Sequence, residues 1–280
     1  MIPATIFKSY DIRGIYPDEI NEQNIDIITK AIFKVIYEKI IGQPSQRNLK
    51  IALGHDMRLS APKLYPLVKQ ALVSCGVRVI DIGLVSTPTM YFAGFNYDFD
   101  AAIMLSASHN PPKYTGFKMV MKDPKGVRKV GKGSGMEEIK KAALESSVFN
   151  DFFNKLQPKK GTVTLKSDVL TDEIKNAKKI IDFSEVKPLK VVADGANAMG
   201  SLYIEALFKE LPCNLIPMNF KLDGSFPAHP PDPLIKENLQ DLQKRVLKEK
   251  ADVGRLAGKT IGANLKTFLG EIAFILLQAA

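Results

Sequence analysis

The sequence of 280 residues has no tryptophan, only two cysteines and only three histidines. Each scarcity removes a class of function. Cys75 and Cys213 lie far apart and form no ligand cluster, so a disulfide scaffold is excluded and two reduced core thiols of a cytosolic protein are expected. His55, His109 and His229 are dispersed, without the close spacings of a zinc site. The longest apolar run, Ile272–Leu277, is far short of the roughly 20 residues that cross a bilayer. The N-terminus, MIPATIFKSYDIRG, has no basic segment leading into an apolar one, so no secretory leader is expected. No membrane partner and a cytoplasmic location follow as expectations. Low-complexity stretches and short repeats are absent too.

What is present is ordinary for a soluble globular chain: 45% hydrophobic and 25% charged residues. The length suggests about two domains. The net charge of +9 is spread along the chain with one concentration. Lys113, Lys118, Lys122, Lys125, Arg128, Lys129 and Lys132 face only Asp123 as an acid. A nucleic-acid surface, a site for a phosphorylated substrate and a solvated loop would each produce such a run. The missing tryptophan and the lack of aromatics interleaved with the basic residues rank nucleic acid last.

Helix-like and strand-like periods alternate. Residues 24–41 carry Ile25, Ile28, Ile32, Val35, Ile36 and Ile40 at helical spacing. Helices are also predicted at Pro62–Cys75, from Thr87-Pro88 with Thr87 as hydroxyl cap, at Met136–Leu144, Asp168–Ile181, Ser201–Lys209 and Lys236–Lys250. In the last of these Leu239, Leu242, Val246 and Leu247 are assigned to one face and the charges to solvent. Strands are predicted at Leu49–Leu53, Val77–Ile82, Ala101–Leu105, Phe117–Met121, Leu189–Ala193 and Cys213–Met218. The pattern predicts an α/β protein: two tandem α/β domains, 1–150 and 151–280, with mostly parallel mixed sheets covered by helices on both faces. Polar and basic residues at 148–166 mark the boundary between them.

The informative stretch is AAIMLSASHNPPKYTGFKMV, residues 101–120. A buried strand delivers the chain into Ser106-Ala107-Ser108-His109-Asn110-Pro111-Pro112, and ligands of open α/β sheets bind beyond the carboxyl ends of strands. A serine there can carry a phosphoryl group if cations are near, and Lys113 and Lys118 are close in sequence. A plain turn would use the same serine, asparagine and prolines.

SASHNPPKYTGFKMV resembles the phosphoserine loop of the α-D-phosphohexomutases, the phosphomannomutase/phosphoglucomutase family. Further motifs are similar in the same order: Tyr10-Asp11-Ile12-Arg13-Gly14, Gly54-His55-Asp56-Met57-Arg58-Leu59-Ser60, Ser86-Thr87-Pro88-Thr89, Asp194-Gly195-Ala196-Asn197-Ala198-Met199-Gly200, Asp223-Gly224-Ser225-Phe226-Pro227 and Pro231-Asp232-Pro233. The likeness runs from about Ile6 to Gly254. It implies an isomerase that moves a phosphoryl group between C1 and C6 of a hexose phosphate through a phosphoserine. By position, Ser108 is the phosphoryl carrier and His109 positions or protonates the reacting oxygens. Lys118 and Arg13 support the transferring group, and Tyr10 shapes the pocket for substrate. Without the motif, Arg13 reads as a surface partner of Asp11 or Asp18, and His55 and His229 as turn and loop residues.

The resemblance also implies Mg2+, with the phosphate of Ser108 as one ligand, and a hexose 1,6-bisphosphate activator. Family members are longer and have four domains, so this chain reads as a truncated form holding the first and most of the second. After Glu249-Lys250-Ala251-Asp252-Val253-Gly254 the family's acidic metal loop is expected, yet no acidic residue occurs between Asp252 and Glu271. The tail from Arg255 diverges from the family. Gly254–Thr260 falls one residue short of a phosphate-binding P-loop and is read as an accident, and Leu265–Leu277 as a cover for a sheet edge. The expectation is a phosphohexomutase fragment that is inactive or nearly so alone. The alternative is a non-catalytic phosphosugar-binding or interaction module.

Overall fold

The computed structural model describes residues 2–256 apart from positions 44, 46, 181–182, 184–185 and 233–234. The Gly254–Thr260 segment beyond Leu256, and all of Leu265–Leu277, lie outside the described residues. The chain divides into two compact units, one formed by 2–107 and 113–167, the other by 108–112 and 168–256.

The first unit is built on a seven-stranded sheet. Its strands are β1 (Ile12–Ile15), β2 (Lys50–His55), β3 (Arg78–Leu84), β4 (Ala101–Leu105), β5 (Tyr114–Asp123), β6 (Gly126–Lys129) and β7 (Thr162–Leu165). They run β1-β5-β4-β2-β3-β7, with β6 added to β5. Strands β4, β2, β3 and β7 are parallel neighbours, while β5 is antiparallel to β1, β4 and β6. Helices α1 (Ile25–Ile41), α2 (Ala61–Ser74), α4 (Met136–Leu144) and α5 (Ser146–Leu156) accompany it, and α3 (Thr87–Asn96) packs on the other face.

The alternation of side chains along strands sorts these faces. Leu53, Ile103, Phe117 and Met119 join Ile28, Ile32, Leu64, Val68 and Ile139 of α1, α2 and α4 in one core. Burying each such side chain contributes about 1.5–3 kcal/mol over leaving it exposed. Ala102 and Val120 point the opposite way, onto Gly94 of α3. Strand β4 is buried along its whole length, as a central strand covered on both faces must be.

Three local readings are corrected. Helix α3 is capped by Ser86, whose hydroxyl oxygen accepts the Thr89 N–H at 3.2 Å; Thr87 is already helical and its hydroxyl meets Met104 Sδ at 3.4 Å. A serine one residue earlier was free to take the extended backbone a cap needs. The stretch 148–166 holds most of α5 and all of β7. All four β7 residues are exposed, so no burial pattern announces a strand whose pairing with β3 is purely backbone. Cys213 is only half-buried; Cys75 is a core thiol, which burial pushes up to about 12.

The second unit has an all-parallel three-stranded sheet, β10 (Val253–Leu256), β8 (Lys190–Asp194) and β9 (Asn214–Met218), in that order. Val191 and Leu189 pack with Phe208 of α7 (Gly200–Phe208), and Val192 packs with Leu242 of α8 (Gln240–Glu249). Tyr203 and Leu207 of α7 meet Ile174 and Ala177 of α6 (Val169–Ile180). Residues Lys236–Leu239 form a 3-10 turn before α8, and Leu247 is 78% exposed, one residue round the helix from the Leu242–Val246 stripe. Among the described residues no helix is long and apolar enough to cross a membrane.

Two features of the first sheet yield predictions. A β-carbon on Gly116 would sit 1.9 Å from the Ile12 carbonyl oxygen of the neighbouring strand β1. Gly116→Ala is expected to lower stability by about 1–3 kcal/mol in urea titrations, the range for forced overpacking. The second feature is Asp81 on β3. Burial pushes its carboxyl up, but hydrogen bonds from Lys69, the Tyr65 hydroxyl and the Gly83 N–H outweigh this and hold it below the usual carboxylate range. A carboxyl lowered on folding stabilises above its unfolded pKa, and that contribution is lost as pH falls through the folded one. Asp81→Asn should therefore destabilise the protein at neutral pH, with the gap to the wild type closing in acid; a gap independent of pH would contradict this.

Candidate active site

The β1–β5 register places the charged residues. Ile12 opposes Phe117, and Arg13 opposes Gly116. Ile12 and Phe117 belong to the core, so Arg13 and Lys118, one residue along each strand, project to the α3 face. There Arg13 Nη2 donates to both oxygens of Asp11, at 3.1 and 3.2 Å, and Lys118 Nζ lies 3.4 Å from Asp11 Oδ2. Asp11 is buried, with 7% of its side chain exposed, against 17% for Lys118 and 30% for Arg13. Arg13 does pair with Asp11, but the contact is not the weak surface pair its sequence alone suggested. Gly116 lets β1 approach closely enough for this. The Tyr91 hydroxyl on α3 is pushed up to about 12, by burial and then by the charge of Asp11. Tyr10 is 75% exposed, beside Gly131.

Next to this group is a buried polar network built on the Gly54–Ser60 motif, to whose residues the resemblance assigns no chemistry. Asp56 follows β2, and its Oδ2 accepts the Ser106 hydroxyl at 2.6 Å while its Oδ1 accepts the Arg58 N–H at 3.1 Å. Arg58 Nε lies 3.3 Å from Asp56 Oδ2, with 1% of the Arg58 side chain exposed. Arg58 Nη1 donates to the Tyr114 carbonyl oxygen at 2.9 Å, and the Ser60 hydroxyl donates to Thr115 Oγ1 at 3.0 Å. Burial pushes Asp56 up and the Arg58 charge opposes it. The spacing Asp-x-Arg-x-Ser at a strand end was the available signal.

This network roots both flanks of the serine loop in the first sheet. Ser106 N–H donates to the Gly116 carbonyl at 2.8 Å, and Tyr16 N–H to the Lys113 carbonyl at 2.8 Å. Between them lies the segment Ser108–Pro112, which groups with the second unit. Ser108 is exposed and its φ is 57°, left-handed backbone that a non-glycine residue adopts at a cost of about 1–3 kcal/mol. Its Oγ lies 3.4 Å from His109 Nδ1. The structure thus brings together Asp11, Arg13 and Lys118, and separately Ser108 and His109. Among the described residues no three His, Cys, Asp or Glu side chains gather to hold a metal.

The basic run of the sequence is not one patch. Lys122 pairs with Asp98 at 2.5 Å, and Arg128 with Asp123 at 3.1 Å. Ten residues of extended β5 carry Lys118 and Lys122 towards opposite ends of the sheet. At the far end Lys122, Arg47, Lys50 and Arg78 line an open cavity of about 650 Å³ with Asp98 and Asp100. It sits at the amino ends of β2 and β3, and Arg47 and Lys122 are already paired with its two carboxylates. His55 packs against Tyr65 with ring centroids 4.3 Å apart and the rings tilted by 53°. In the second unit His229 Nε2 lies 3.1 Å from Asp194 Oδ2, a carboxylate that also accepts from Asn219 Nδ2 and the Ala196 N–H. Sequence reading missed this cluster, since 35 residues separate its histidine from its aspartate.

Removing Arg58 alone leaves Asp56 buried without its cation. Arg58→Met should cost about 3–5 kcal/mol in denaturant titrations, the range for a broken buried pair. Adding Asp56→Asn to that variant should return part of the loss; a double variant no better than the single would show that the ion pair is not what matters.

Sequence models of the phosphoglucomutase/phosphomannomutase α/β/α domains I and II match residues 4–142 and 168–256. A phosphomannomutase/phosphoglucomutase of Pseudomonas aeruginosa is 36% identical over 253 residues, covering 90% of this chain and 50% of the relative. A phosphoglucomutase of Neisseria gonorrhoeae is 34% identical over 255 residues, with coverage of 90% and 50%. Among solved structures, a phosphoglucomutase/phosphomannomutase family protein of Burkholderia thailandensis superposes with a TM-score of 0.74 at 29% identity, over 91% of this chain and 52% of that one. The chain spans about half the length of the curated relatives it matches. With both domain models matched in order along most of its length, the chain belongs to the phosphoglucomutase/phosphomannomutase family.

Proposed function

We propose that this chain carries the phosphoryl-carrier half of a phosphohexomutase acting on glucose or mannose phosphates in the cytoplasm. The observation that carries the reading is the Arg13–Asp11–Lys118 group, on the same sheet that anchors both flanks of the Ser108 loop. Two cations around one buried carboxylate leave net positive charge for a phosphate to offset.

In this reading Ser108 bears the phosphoryl group. Transfer to a sugar hydroxyl breaks the bond from phosphorus to Ser108 Oγ and forms one from phosphorus to the sugar oxygen. The sugar hydroxyl loses a proton and the serine oxygen gains one. His109, with Nδ1 3.4 Å from Oγ, is the group to carry a proton there. Lys118 and Arg13 stabilise charge on the transferring oxygens, and Tyr10 borders the sugar. The return transfer from the bisphosphate restores phosphoserine. Phosphoryl transfer of this kind asks for positioning and charge more than for covalent help. Magnesium, when bound, supplies further charge neutralisation. The Ser108 phosphate would offer it one ligand.

In this reading residues 1–280 by themselves are expected to accept phosphate without turning substrate over at an appreciable rate. Incubation with glucose 1,6-bisphosphate in magnesium buffer, followed by peptide mapping, should place phosphate on Ser108. Ser108→Ala should take up none, and Lys118→Gln should slow uptake by about 10²–10³, as for loss of one transition-state donor. Saturable binding without Ser108 phosphorylation would instead support a phosphosugar-binding module. Robust conversion of glucose 1-phosphate in a coupled assay would contradict the half-enzyme reading.

A further inference from the structure

Strand β6 adds another cation to the α3 side of the sheet. Lys129 is paired with Val120 of β5. Paired residues of antiparallel strands share a face, and Lys118 lies two positions from Val120 along the same strand. Lys118 and Lys129 are therefore diagonal neighbours on one face, at roughly 7–8 Å between Cα atoms. The Lys129 ammonium lies 4.9 Å from the centroid of the Tyr91 ring, the aromatic that also feels the charge of Asp11. The ring fixes the ammonium by cation–π attraction while leaving its N–H donors open to another acceptor.

The carboxylates nearby are already committed. Asp11 serves both Arg13 and Lys118, and Asp123 serves Arg128. Burial and then the nearby Lys118 charge pull the Lys129 ammonium below its usual range. Arg13 and Lys118 thus share one carboxylate, Lys129 stands beside Lys118 with its charge opposed to it, and that repulsion is relieved by an anion of more than one charge. Tyr10 lies beside Gly131, and the Lys132 N–H donates to the Ser9 carbonyl at 2.6 Å, which ties the chain after β6 to the segment that leads into β1.

We propose that Lys129 is an anion-binding residue of this site, its ammonium sharing with Arg13 and Lys118 the phosphate group of a sugar phosphate, with Tyr91 as the shelf that holds it. The inference rests on the reading of the Arg13–Lys118 group as a phosphosugar site. It adds a residue from β6, a strand that carries none of the motifs on which that reading was built.

Calorimetric titration of the full chain with glucose 6-phosphate, and separately with inorganic phosphate, tests it. Lys129→Gln should weaken binding of both by about tenfold, the effect of losing one charge-assisted hydrogen bond. Lys129→Arg should recover most of it, and Tyr91→Leu should weaken binding less than Lys129→Gln. Lys125→Gln, at the exposed β5–β6 turn, is the control for general loss of charge and should bind as the wild type. Melting temperatures establish that each variant is folded. If Lys118→Gln weakens binding and Lys129→Gln does not, the role of Lys129 is overturned while the phosphosugar site stands. Equal loss in Lys125→Gln and Lys129→Gln overturns it in favour of general attraction. A wild type that binds neither probe saturably overturns both.

Discussion

A guanidinium shut away from water governs the first unit. Arg58 has almost no solvent contact, so its charge must be answered locally, and Asp56 answers it. The pair then has hydrogen-bonding capacity left over, which is spent on the Ser106 hydroxyl at the end of β4 and on the Tyr114 carbonyl at the start of β5. The two strands that flank the serine loop are held in register by one buried ion pair as well as by their own backbone bonds. A hydrophobic substitute would pack as well, but it would fix neither flank by direction. This is the sense in which a costly interaction positions a site.

Above that pair the sheet presents its charges by simple alternation. One side of β1 and β5 is the apolar core with α1, α2 and α4; the other, towards α3, carries Arg13, Lys118 and, from β6, Lys129. Gly116 matters because a side chain there would meet the Ile12 carbonyl of the neighbouring strand β1. The far end of the sheet is also cationic, yet there Asp98 and Asp100 answer Lys122 and Arg47. The difference between the two ends is local balance, not total charge. The carboxyl ends of the parallel strands are also where open α/β sheets bind ligands.

The sequence was most informative where burial is one-sided or complete. The apolar period of α1 and the run Ala101–Leu105 predicted their elements closely, because water exclusion selects those residue types directly. It was silent at β7, an exposed edge strand held by backbone bonds that any residue can make. It misplaced the α3 cap by one residue because Ser86 and Thr87 have the same capping chemistry and only backbone geometry separates them. The basic run misled for a different reason. Neighbours in sequence are carried apart along an extended strand, so Lys118 and Lys122 serve opposite ends. Of the candidate site, the residues and the Asp56–Arg58 spacing were legible from the motifs, whereas the bond from Ser106 to Asp56, the Lys129–Tyr91 contact and the Asp194–His229 pair are long-range and have no linear signal.

The central claim is that the α3 side of the first sheet, at its serine-loop end, receives a phosphorylated sugar. Backbone amide chemical shifts, followed by NMR while glucose 6-phosphate is added to the full chain, test it most directly. The account predicts saturable shifts concentrated at Tyr10–Arg13, Tyr91, Ser106–Lys118 and Lys129–Gly131, with Arg47, Lys50, Arg78 and Lys122 unmoved. Shifts confined to that second group, or none that saturate, would contradict it.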